Sequence, residues 1–542
     1  MDFPGNFSLF SRHRVRIGLI LLDQWLGREQ STNRMRVAKR PPSRRQDGRS
    51  PTKQHRKEAA SKLRSTVQVK PQRIRDPLHN LIEFGTDQFE HVIWQVIQTR
   101  PFQRLRRIKQ LGFSELVYPG ATHNRFAHSV GVFHTARLLM RIIERHMGEG
   151  GRRQHQYREH QAQVALAAAL VHDLGHGMFS HSFEDVGKKL SLPMADHEHV
   201  GGLLIRDGEV SEAFREMGSG FATDVATVIK RGRPIDLYGA VVSSQFDADR
   251  LDYMQRDRLM TGVQNGGIDF VWLMANLEVG RIKTGVDEET IGEFETFVLG
   301  PKASYAAETY VLALFQLYPT IYFHKATRAA EKLFSVLMLR LIELTRSNLG
   351  NKTGLPKKHP FIRFATNPES VDTALALDDT VFWGALPMLA EAPDRKIRNC
   401  AIRLQHRQLP KCIDIRHKLM AALELRKALT PAQRAELQKK LDRLIASIEA
   451  KLNRWAEKNS SNEAPRILTD RATRDPYKRF EESRGPFNQI HMRLADNQIL
   501  DVASCSSVIA AVESFSLFRA YATDDAAARV IEDTVQAELS RG

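Results

Sequence analysis

The stretch LVHDLGHGMFSH, residues 170–181, places an adjacent His172–Asp173 pair directly after the apolar run VALAAALV. An adjacent His and Asp on a helix can point an imidazole nitrogen and a carboxylate oxygen at one cation, a mixed ligand set that suits Mn, Fe or Zn. A lone His-Asp pair is ordinarily just a polar pair. Here the apolar flank predicts burial, and buried ionisable groups need a compensating partner. We therefore predict a metal site.

The remaining ligands are expected at His or Asp residues that lie in apolar helices elsewhere. His128 lies in RFAHSVGVFHTARLLMRII, whose apolar residues recur at helical spacing. Asp249 lies in VVSSQFDADRLDYMQRD, after a short apolar segment. The predicted ligands of one metal ion are therefore His128, His172, Asp173 and Asp249.

Seven motifs follow one another in the first two thirds of the chain. They are IRDPLHNLIEF (74–84), FQRLRRIKQLG (102–112), YPGATHNRFAHSVGV (118–132), HDLGHGMFSH (172–181), DHEH (196–199), FDADRLDYMQRD (246–257) and IYFHK (321–325). Together they resemble the HD-domain phosphohydrolases, and within them the deoxynucleoside triphosphate (dNTP) triphosphohydrolases, the branch that includes the bacterial dGTPases. The resemblance implies a mainly α fold, one divalent transition metal (Mn, Fe or Zn) with Mg accompanying the substrate triphosphate, and hydrolysis of a dNTP to a deoxynucleoside and inorganic triphosphate.

The segment SHSFE places His181 and Glu184 three residues apart, on one face of a helix. A carboxylate against one ring nitrogen fixes the tautomer and raises the basicity of the other, as in general acid-base pairs. The resemblance implies that this pair serves the attack or the leaving-group step, and that His176 and His197 line the phosphate pocket. The plain alternative for the pair is a contact on a helix surface.

The resemblance also implies a set of substrate contacts. A phosphate clamp would contain Arg125, whose guanidinium can hold two oxygens at once, together with Arg250, Tyr253 and Lys325. The family often has Lys where this chain has Arg250, and either residue supplies a cation.

The resemblance implies that two residues recognise the sugar, Gln110 and Asp257 in this chain, and that they would hydrogen-bond its 3′-hydroxyl. Leu111 and Tyr322 would crowd the ring and reject ribose by leaving its 2′-hydroxyl unpaired. The plain alternative for Leu111 and Tyr322 is a role in the core.

Charge is distributed unevenly along the 542 residues, whose formal net charge is +17. The first 75 residues carry 19 Lys or Arg against 5 Asp or Glu, so the remainder is close to neutral. Residues 1–70 are Pro, Ser and Arg rich and are predicted to be a disordered basic arm. Such an arm would bind nucleic acid weakly and without sequence preference. The alternative is that the segment before Met35 reflects the choice of start site.

The predicted domains are a helical core over 71–345, a linker or exposed loop over 346–372, and a smaller α+β part over 373–542. With 42% hydrophobic residues the chain can bury such a core. Thr430 and Gln433 predict a capping box at the start of a long helix. Alternating apolar residues from Ile490, followed by Asp496 and Asn497, predict a hairpin that forms a small sheet with FRAY (518–521).

No stretch approaches the roughly 20 apolar residues of a membrane span, and the apolar run from Ile17 ends at Asp23 without a signal-peptide cleavage site. We expect a cytoplasmic homo-oligomer that binds a nucleotide substrate and no membrane. The three cysteines have no CxxC spacing, which argues against a disulfide framework or a thiolate metal site. Two alternatives stay open: another HD phosphohydrolase, such as a nucleotidase or a guanosine tetraphosphate hydrolase, and a nucleic-acid-binding protein with an idle HD site.

Overall fold

The structure is a computed structural model, and it describes residues 70–149, 157–286, 289–425, 430–459, 463–478 and 489–541. The predicted basic arm, residues 1–70, lies outside the described residues apart from Lys70. Within the described part, no helix is long and apolar enough to cross a membrane.

Helices dominate the part of the chain that carries the seven motifs, and a β-hairpin precedes them. The hairpin strands are β1 (Gln72–Asp76) and β2 (Asn80–Phe84). The helices are α1 (Gln88–Gln98), α2 (Arg100–Arg104), α3 (Arg125–Glu149), α4 (Glu159–Val171), α5 (His181–Leu190), α6 (His197–Arg206), α7 (Glu209–Phe214), α8 (Phe221–Arg231), α9 (Leu237–Ser243), α10 (Ala248–Thr261), α11 (Phe270–Ala275), α12 (Ser304–Leu317) and α13 (Lys325–Arg346). A π-helical turn, Tyr318–Tyr322, extends α12. The mainly α fold is therefore confirmed.

The remaining elements mix helices with short strands. They are β3 (Leu277–Val286), β4 (Glu289–Leu299), α14 (Pro360–Thr366), α15 (Val371–Leu375), α16 (Asp379–Ala390), α17 (Arg395–Gln405), β5 (Lys411–Asp414), α18 (Ile415–Ala422), α19 (Pro431–Lys458), β6 (Ile467–Arg474), β7 (His491–Arg493), β8 (Ile499–Asp501), α20 (Val502–Cys505), α21 (Ser507–Ala510), β9 (Phe515–Ala522) and α22 (Asp525–Arg541).

The predicted C-terminal hairpin forms, but it does not share a sheet with FRAY. Strands β7 and β8 pair antiparallel and extend the sheet β3-β4-β7-β8, whereas β9, which contains FRAY, lies between β5 and β6. Thr430 and Gln433 make both hydrogen bonds of the capping box. The apolar stripe of α19 packs into a second hydrophobic cluster with Phe518 and Ile531.

The expected linker over 346–372 is instead part of the core. Phe361 and Phe364 of α14 are 1% exposed and belong to the large hydrophobic cluster that also contains the helices around α4. That cluster extends to Tyr521, so the predicted boundary at 345 does not divide the core. The error came from polar and Gly-rich residues before Pro360, which form only a short 3₁₀ turn ahead of an apolar helix.

Candidate active site

Helix α4 is apolar around its whole circumference from Val164 onward and is therefore buried there, and the helix packs against α3, α8 and α9. It ends at Val171. His172 and Asp173 therefore lie in the turn that follows the helix, and the prediction that they lie on the helix itself is wrong. This turn leaves both side chains free to point into the space between α4 and its neighbours.

Two helix starts bring the other predicted ligands to this turn. His128 lies in the first turn of α3, where the Asn124 side chain accepts a hydrogen bond from the Ala127 N–H at 3.0 Å. Asp249 lies in the first turn of α10, which Asp247 caps by accepting from the Arg250 N–H at 2.9 Å. Capping by a short polar side chain fixes where each helix begins, and so fixes the ligand positions.

Three of the four predicted metal ligands, His128, His172 and Asp249, lie close enough together to hold one ion, and Asp173 lies beside them. Nε2 of His128 is 3.0 Å, and Nε2 of His172 is 3.6 Å, from Oδ1 of Asp249. The Asp173 carboxylate approaches from the other side, with 3.3 Å between its Oδ1 and His172 Nε2 and 3.8 Å between its Oδ2 and His128 Nε2. His128, His172 and Asp249 form the tightest group.

The donor set of this group fits a divalent metal ion. Nδ1 of His172 lies 2.9 Å from the Ala169 carbonyl, and Nδ1 of His128 lies 2.9 Å from Oδ2 of Asp252, so both Nε2 atoms face Asp249. Nε2 of His172 is buried and has no hydrogen-bond partner among the described residues. Two imidazole nitrogens and carboxylate oxygens are ligands that Mn, Fe and Zn accept.

A buried ionic chain lies behind His128, and the sequence-based prediction did not include it. Asp252 is 0% exposed and accepts hydrogen bonds from His128, from His79 Nε2 at 2.7 Å and from Arg256 Nε at 2.7 Å. Arg256 in turn donates to Asp76 Oδ2 at 2.7 Å. Asp76 and His79 belong to the β1–β2 hairpin, so this hairpin is tied to a candidate metal ligand.

Gly131, in the HSVGV part of the third motif, makes room for this ionic chain. A Cβ at Gly131 would lie 2.2 Å from both Arg256 Nη2 and Asp252 Oδ1, far inside van der Waals contact. The glycine was therefore the one sequence signal for the buried ion pairs, since a close approach of another group is a common reason for a glycine inside a helix.

The four predicted catalytic residues gather around one carboxylate. Nδ1 of His181 lies 3.1 Å from Glu184 Oε2, and Nδ1 of His197 lies 2.6 Å from Oε1. His176 Nδ1 is 3.6 Å from the same Oε1, and its ring stacks on His197 with centroids 4.0 Å apart. Glu184 is buried, whereas the His181 side chain is 75% exposed.

Electrostatics distinguishes the histidines of this cluster. Burial acts to raise the pKa of Glu184, but hydrogen bonds from His181 and His197 lower it overall. Burial acts against protonation of His197, yet Glu184 raises the pKa of that imidazole. Burial and then the nearby Arg125 hold the pKa of His176 well below its usual range. A neutral imidazole therefore lies stacked on one that favours the charged form.

Asp173 joins the two clusters. Its Oδ1 lies 3.3 Å from His172 Nε2 and also 3.2 Å from His176 Nε2. Arg125, predicted to clamp phosphate, is 4% exposed and donates to Asp173 Oδ2 and to Ser180 Oγ. Burial acts to raise the pKa of the Asp173 carboxyl, but Arg125, His172 and His176 hold that pKa well below its usual value.

Gly175 lets α6 approach this turn closely. A Cβ there would lie 2.0 Å from the His197 carbonyl oxygen and 2.3 Å from the Gly201 N–H nitrogen. The glycine in HDLGH therefore brings the start of α6, and with it His197, up to His176.

The residues predicted to bind sugar are only partly brought together. Asp257 is 1% exposed, and its two oxygens already accept from His123 Nε2 at 2.8 Å and from the Tyr322 hydroxyl at 2.9 Å. No hydrogen bond joins Gln110 to Asp257 among the described residues, but the Gln110 N–H donates to the His123 carbonyl at 3.1 Å. Oε1 of Gln110 is buried without a hydrogen-bond partner in the described part of the chain.

The other predicted substrate residues surround this group. Leu111 is half-buried against the core, and the Tyr253 ring lies edge-on to Tyr322 with centroids 6.1 Å apart. Arg250 Nε is 3.7 Å from Asp247 Oδ2. Lys325 lies exposed at the start of α13, where its ammonium makes no hydrogen bond or ion pair with the described residues.

Comparison with known proteins agrees with this site. The family model for the HD domain matches residues 125–254, from Arg125 at the start of α3 to Met254 in α10. The uncharacterized protein YwfO of Bacillus subtilis is 36% identical over 271 residues, which are 50% of this chain and 56% of that protein. Deoxynucleoside triphosphate triphosphohydrolase SAMHD1 of Bos taurus is 32% identical over 233 residues, 38% of each chain.

The chain spans about half the length of the curated relatives it matches first, 56% and 51%. Among solved structures, a phosphohydrolase from Bacteroides thetaiotaomicron is similar with a TM-score of 0.60 and 23% identity, over 84% of this chain and 100% of that one. The match of residues 125–254 includes every candidate metal ligand and the whole Glu184 cluster. The chain therefore contains an HD domain over residues 125–254.

Proposed function

We propose that this protein is a metal-dependent phosphohydrolase that cleaves a dNTP into a deoxynucleoside and inorganic triphosphate. One observation carries the proposal. Asp173 links the candidate metal ligands to the histidine cluster around Glu184, with its Oδ1 3.3 Å from His172 Nε2 and 3.2 Å from His176 Nε2. A cation site and an acid-base group side by side are what hydrolysis of a phosphate ester requires.

In this reaction water attacks the α-phosphorus, the bond from that phosphorus to the 5′-oxygen breaks, and the 5′-oxygen takes up a proton. His128, His172, Asp173 and Asp249 would hold the metal, which when bound neutralises charge on the phosphate oxygens and lowers the pKa of a coordinated water. The remaining work falls to residues of the Glu184 cluster.

We assign the proton transfer to the leaving oxygen to His181. Its side chain is exposed at the mouth of the site, while its Nδ1 is held 3.1 Å from Glu184, so Nε2 is free to face a substrate. His197, whose pKa Glu184 raises, would place a positive charge against phosphate oxygens. His176 stays neutral and can accept a proton or a hydrogen bond.

For the sugar we assign the contact with the 3′-hydroxyl to Gln110, because its buried Oε1 accepts no hydrogen bond from the described residues. Both oxygens of Asp257 are already engaged, so we assign this residue to orienting Tyr322 and His123. Tyr322 and Leu111 would then exclude a 2′-hydroxyl by leaving it unpaired. Arg250, Tyr253 and Lys325 remain the proposed contacts to the triphosphate, and assembly into a homo-oligomer remains part of the proposal.

The deciding experiment incubates Mn-loaded protein separately with each of the four dNTPs, the four ribonucleotides and guanosine tetraphosphate. Products are resolved by ion chromatography and ³¹P NMR, which separate triphosphate from pyrophosphate and orthophosphate. We expect triphosphate and deoxynucleoside in equal amounts from dNTPs only, and no product from the Asp249→Asn variant. Orthophosphate alone would refute the proposal in favour of a nucleotidase, and pyrophosphate release from guanosine tetraphosphate would favour the other hydrolase.

A further inference from the structure

The turn that leads into His181 has an unusual backbone. Phe179 and Ser180 both have φ of +49°, although neither is glycine. A side chain beyond Cα makes this left-handed region costly. Such a conformation persists only where the surrounding structure imposes it. The turn therefore needs an anchor, and His181 follows it directly.

The anchor is a carboxylate from outside the HD-matched region. The Phe179 N–H donates to Asp379 Oδ1 at 2.8 Å, and the Lys109 N–H donates to Oδ2 of the same residue at 2.9 Å. Asp379 is the first residue of α16 and is 1% exposed. Its carboxylate spends both oxygens on the backbone of two separate segments, and none on its own helix cap, which Asp378 provides.

The second anchored segment carries the proposed sugar contact. Lys109 directly precedes Gln110 and forms an isolated antiparallel bridge with Asn124, next to Arg125. A buried arginine joins the same two regions in a second place. Arg104 Nη2 donates to the carbonyl of His176 at 2.8 Å and to the carbonyl of Leu377 at 3.2 Å. The segment 377–379 is thus hydrogen-bonded to the backbone of the His181 turn and of the Gln110 segment, and it is joined through Arg104 to the backbone of His176.

We propose that Asp379 is a positioning residue, whose carboxylate holds the His181 turn and the Gln110 segment in one fixed relation. The assignment of a catalytic consequence rests on the proposed function, whereas the anchoring itself does not. A carboxylate suits this task because it is acceptor-only, while an Asn side chain offers one acceptor and turns an NH₂ group toward a donor. The charged groups around it are Lys109, Asp378 and Arg104, and Arg107 pairs with Asp378.

The test compares wild type with Asp379→Asn and the neighbouring control Asp378→Asn in the full-length protein. Asp378 lies beside Asp379 and caps the same helix, but its oxygens accept from Thr380, Val381 and Arg107 instead of from Phe179. Burial raises the pKa of Asp379 to about 7, so the measurements are made at pH 8, where the carboxylate is ionised. The readouts are amide hydrogen exchange by mass spectrometry, metal content, and kcat and KM for the preferred dNTP.

In Asp379→Asn we expect exchange to rise about tenfold or more in peptides spanning 176–183 and 107–111, because a hydrogen bond to a charged acceptor is lost. Metal content should stay at the wild-type level and kcat should fall at least tenfold. Asp378→Asn should show faster exchange at the start of α16 only. Exchange in both peptides within twofold of wild type would overturn the anchor, even if no dNTP is hydrolysed.

If Asp379→Asn does not fold, Asp379→Glu replaces it, since this variant keeps two acceptors but moves them by one methylene. Exchange in the same two peptides should then rise at least threefold, and unchanged exchange overturns the proposal. If wild type hydrolyses dNTPs and exchange rises but kcat does not fall, Asp379 is an anchor without catalytic consequence, which refutes its positioning role. A total lack of hydrolysis in wild type refutes the proposed function alone.

Discussion

Replacing Asp252 by Asn should weaken metal binding although Asp252 touches no metal. Asp252 accepts four hydrogen bonds: one from His128 Nδ1, one from His79, and two from Arg256 at 2.7 and 3.0 Å. An Asn side chain has one acceptor oxygen and directs its NH₂ at the other donors. At least one of the three partner residues therefore loses its acceptor, and the negative charge that favours His128 as a ligand disappears.

The expected loss of metal affinity can be estimated because Asp252 is hydrogen-bonded directly to the candidate ligand His128. Partners that orient a metal-binding His typically contribute about 10- to 100-fold in metal affinity, or about 1.4–2.7 kcal/mol. Asp76 lies one step further away, behind Arg256. Asp76→Asn should therefore weaken binding in the same direction by a smaller factor.

The assay is isothermal titration calorimetry of metal-free protein with Mn²⁺ and Zn²⁺. Circular dichroism serves as the check on folding, because breaking a buried ion pair costs about 3–5 kcal/mol. Asp224→Asn is the matched control, since Asp224 pairs with His160 on the surface at 2.9 Å, with side chains about half exposed. A folded Asp252→Asn protein whose Kd for both metals stays within twofold of wild type would refute this account of the ionic chain.

Four further outcomes are expected. Asp173→Ala should lose bound metal, measured by atomic emission, and all hydrolysis; full metal occupancy would remove Asp173 from the ligand set. His181→Ala should keep its metal while kcat falls by about 10²-fold, and Glu184→Gln should fall at least as far because Glu184 faces three imidazoles; unchanged kcat in both would return the pair to a surface contact. Gly131→Ala should lower the free energy of unfolding by about 1–3 kcal/mol or more through overpacking, measured by urea denaturation, whereas a stability equal to wild type would mean that Arg256 and Asp252 can shift. Burial raises the pKa of Asp379 to about 7, so the folded state binds this proton more tightly than the unfolded state does. The free energy of unfolding should therefore fall as the pH rises from about 4 to about 7. Asp379→Asn should flatten that slope, and an equal slope in both proteins would contradict the assignment.

The sequence was sufficient for the parts of the site whose signal is local. His172 and Asp173 follow an apolar helix, and His128 and Asp249 lie in apolar segments, so these metal ligands could be predicted from the local sequence. The catalytic role of His181 and Glu184 needed the resemblance as well, because a His and a carboxylate three residues apart can be just a contact on a helix surface. The structure brings all of these side chains into contact.

Contacts between distant segments could not be predicted in the same way. Nothing in DPLHN says that Asp76 will reach Arg256, 180 residues later. The LDD sequence at 377–379 looks like an ordinary helix start, since Asp at a cap is common. Such pairings depend on how whole helices pack, and that is also why the interval 346–372 was mistaken for a linker when α14 in fact buries Phe361.

The hairpin that carries Asp76 and His79 has a consequence beyond holding His128 in place. Coupling between two sites is reciprocal, so a contact that strengthens metal binding must itself be strengthened by the metal to the same degree. If release of residues 72–84 weakens metal binding by a given factor, the metal must oppose that release by the same factor. The hairpin should therefore resist proteases better in the metal-loaded protein, and any molecule that pulls it away would act as an inhibitor without entering the active site.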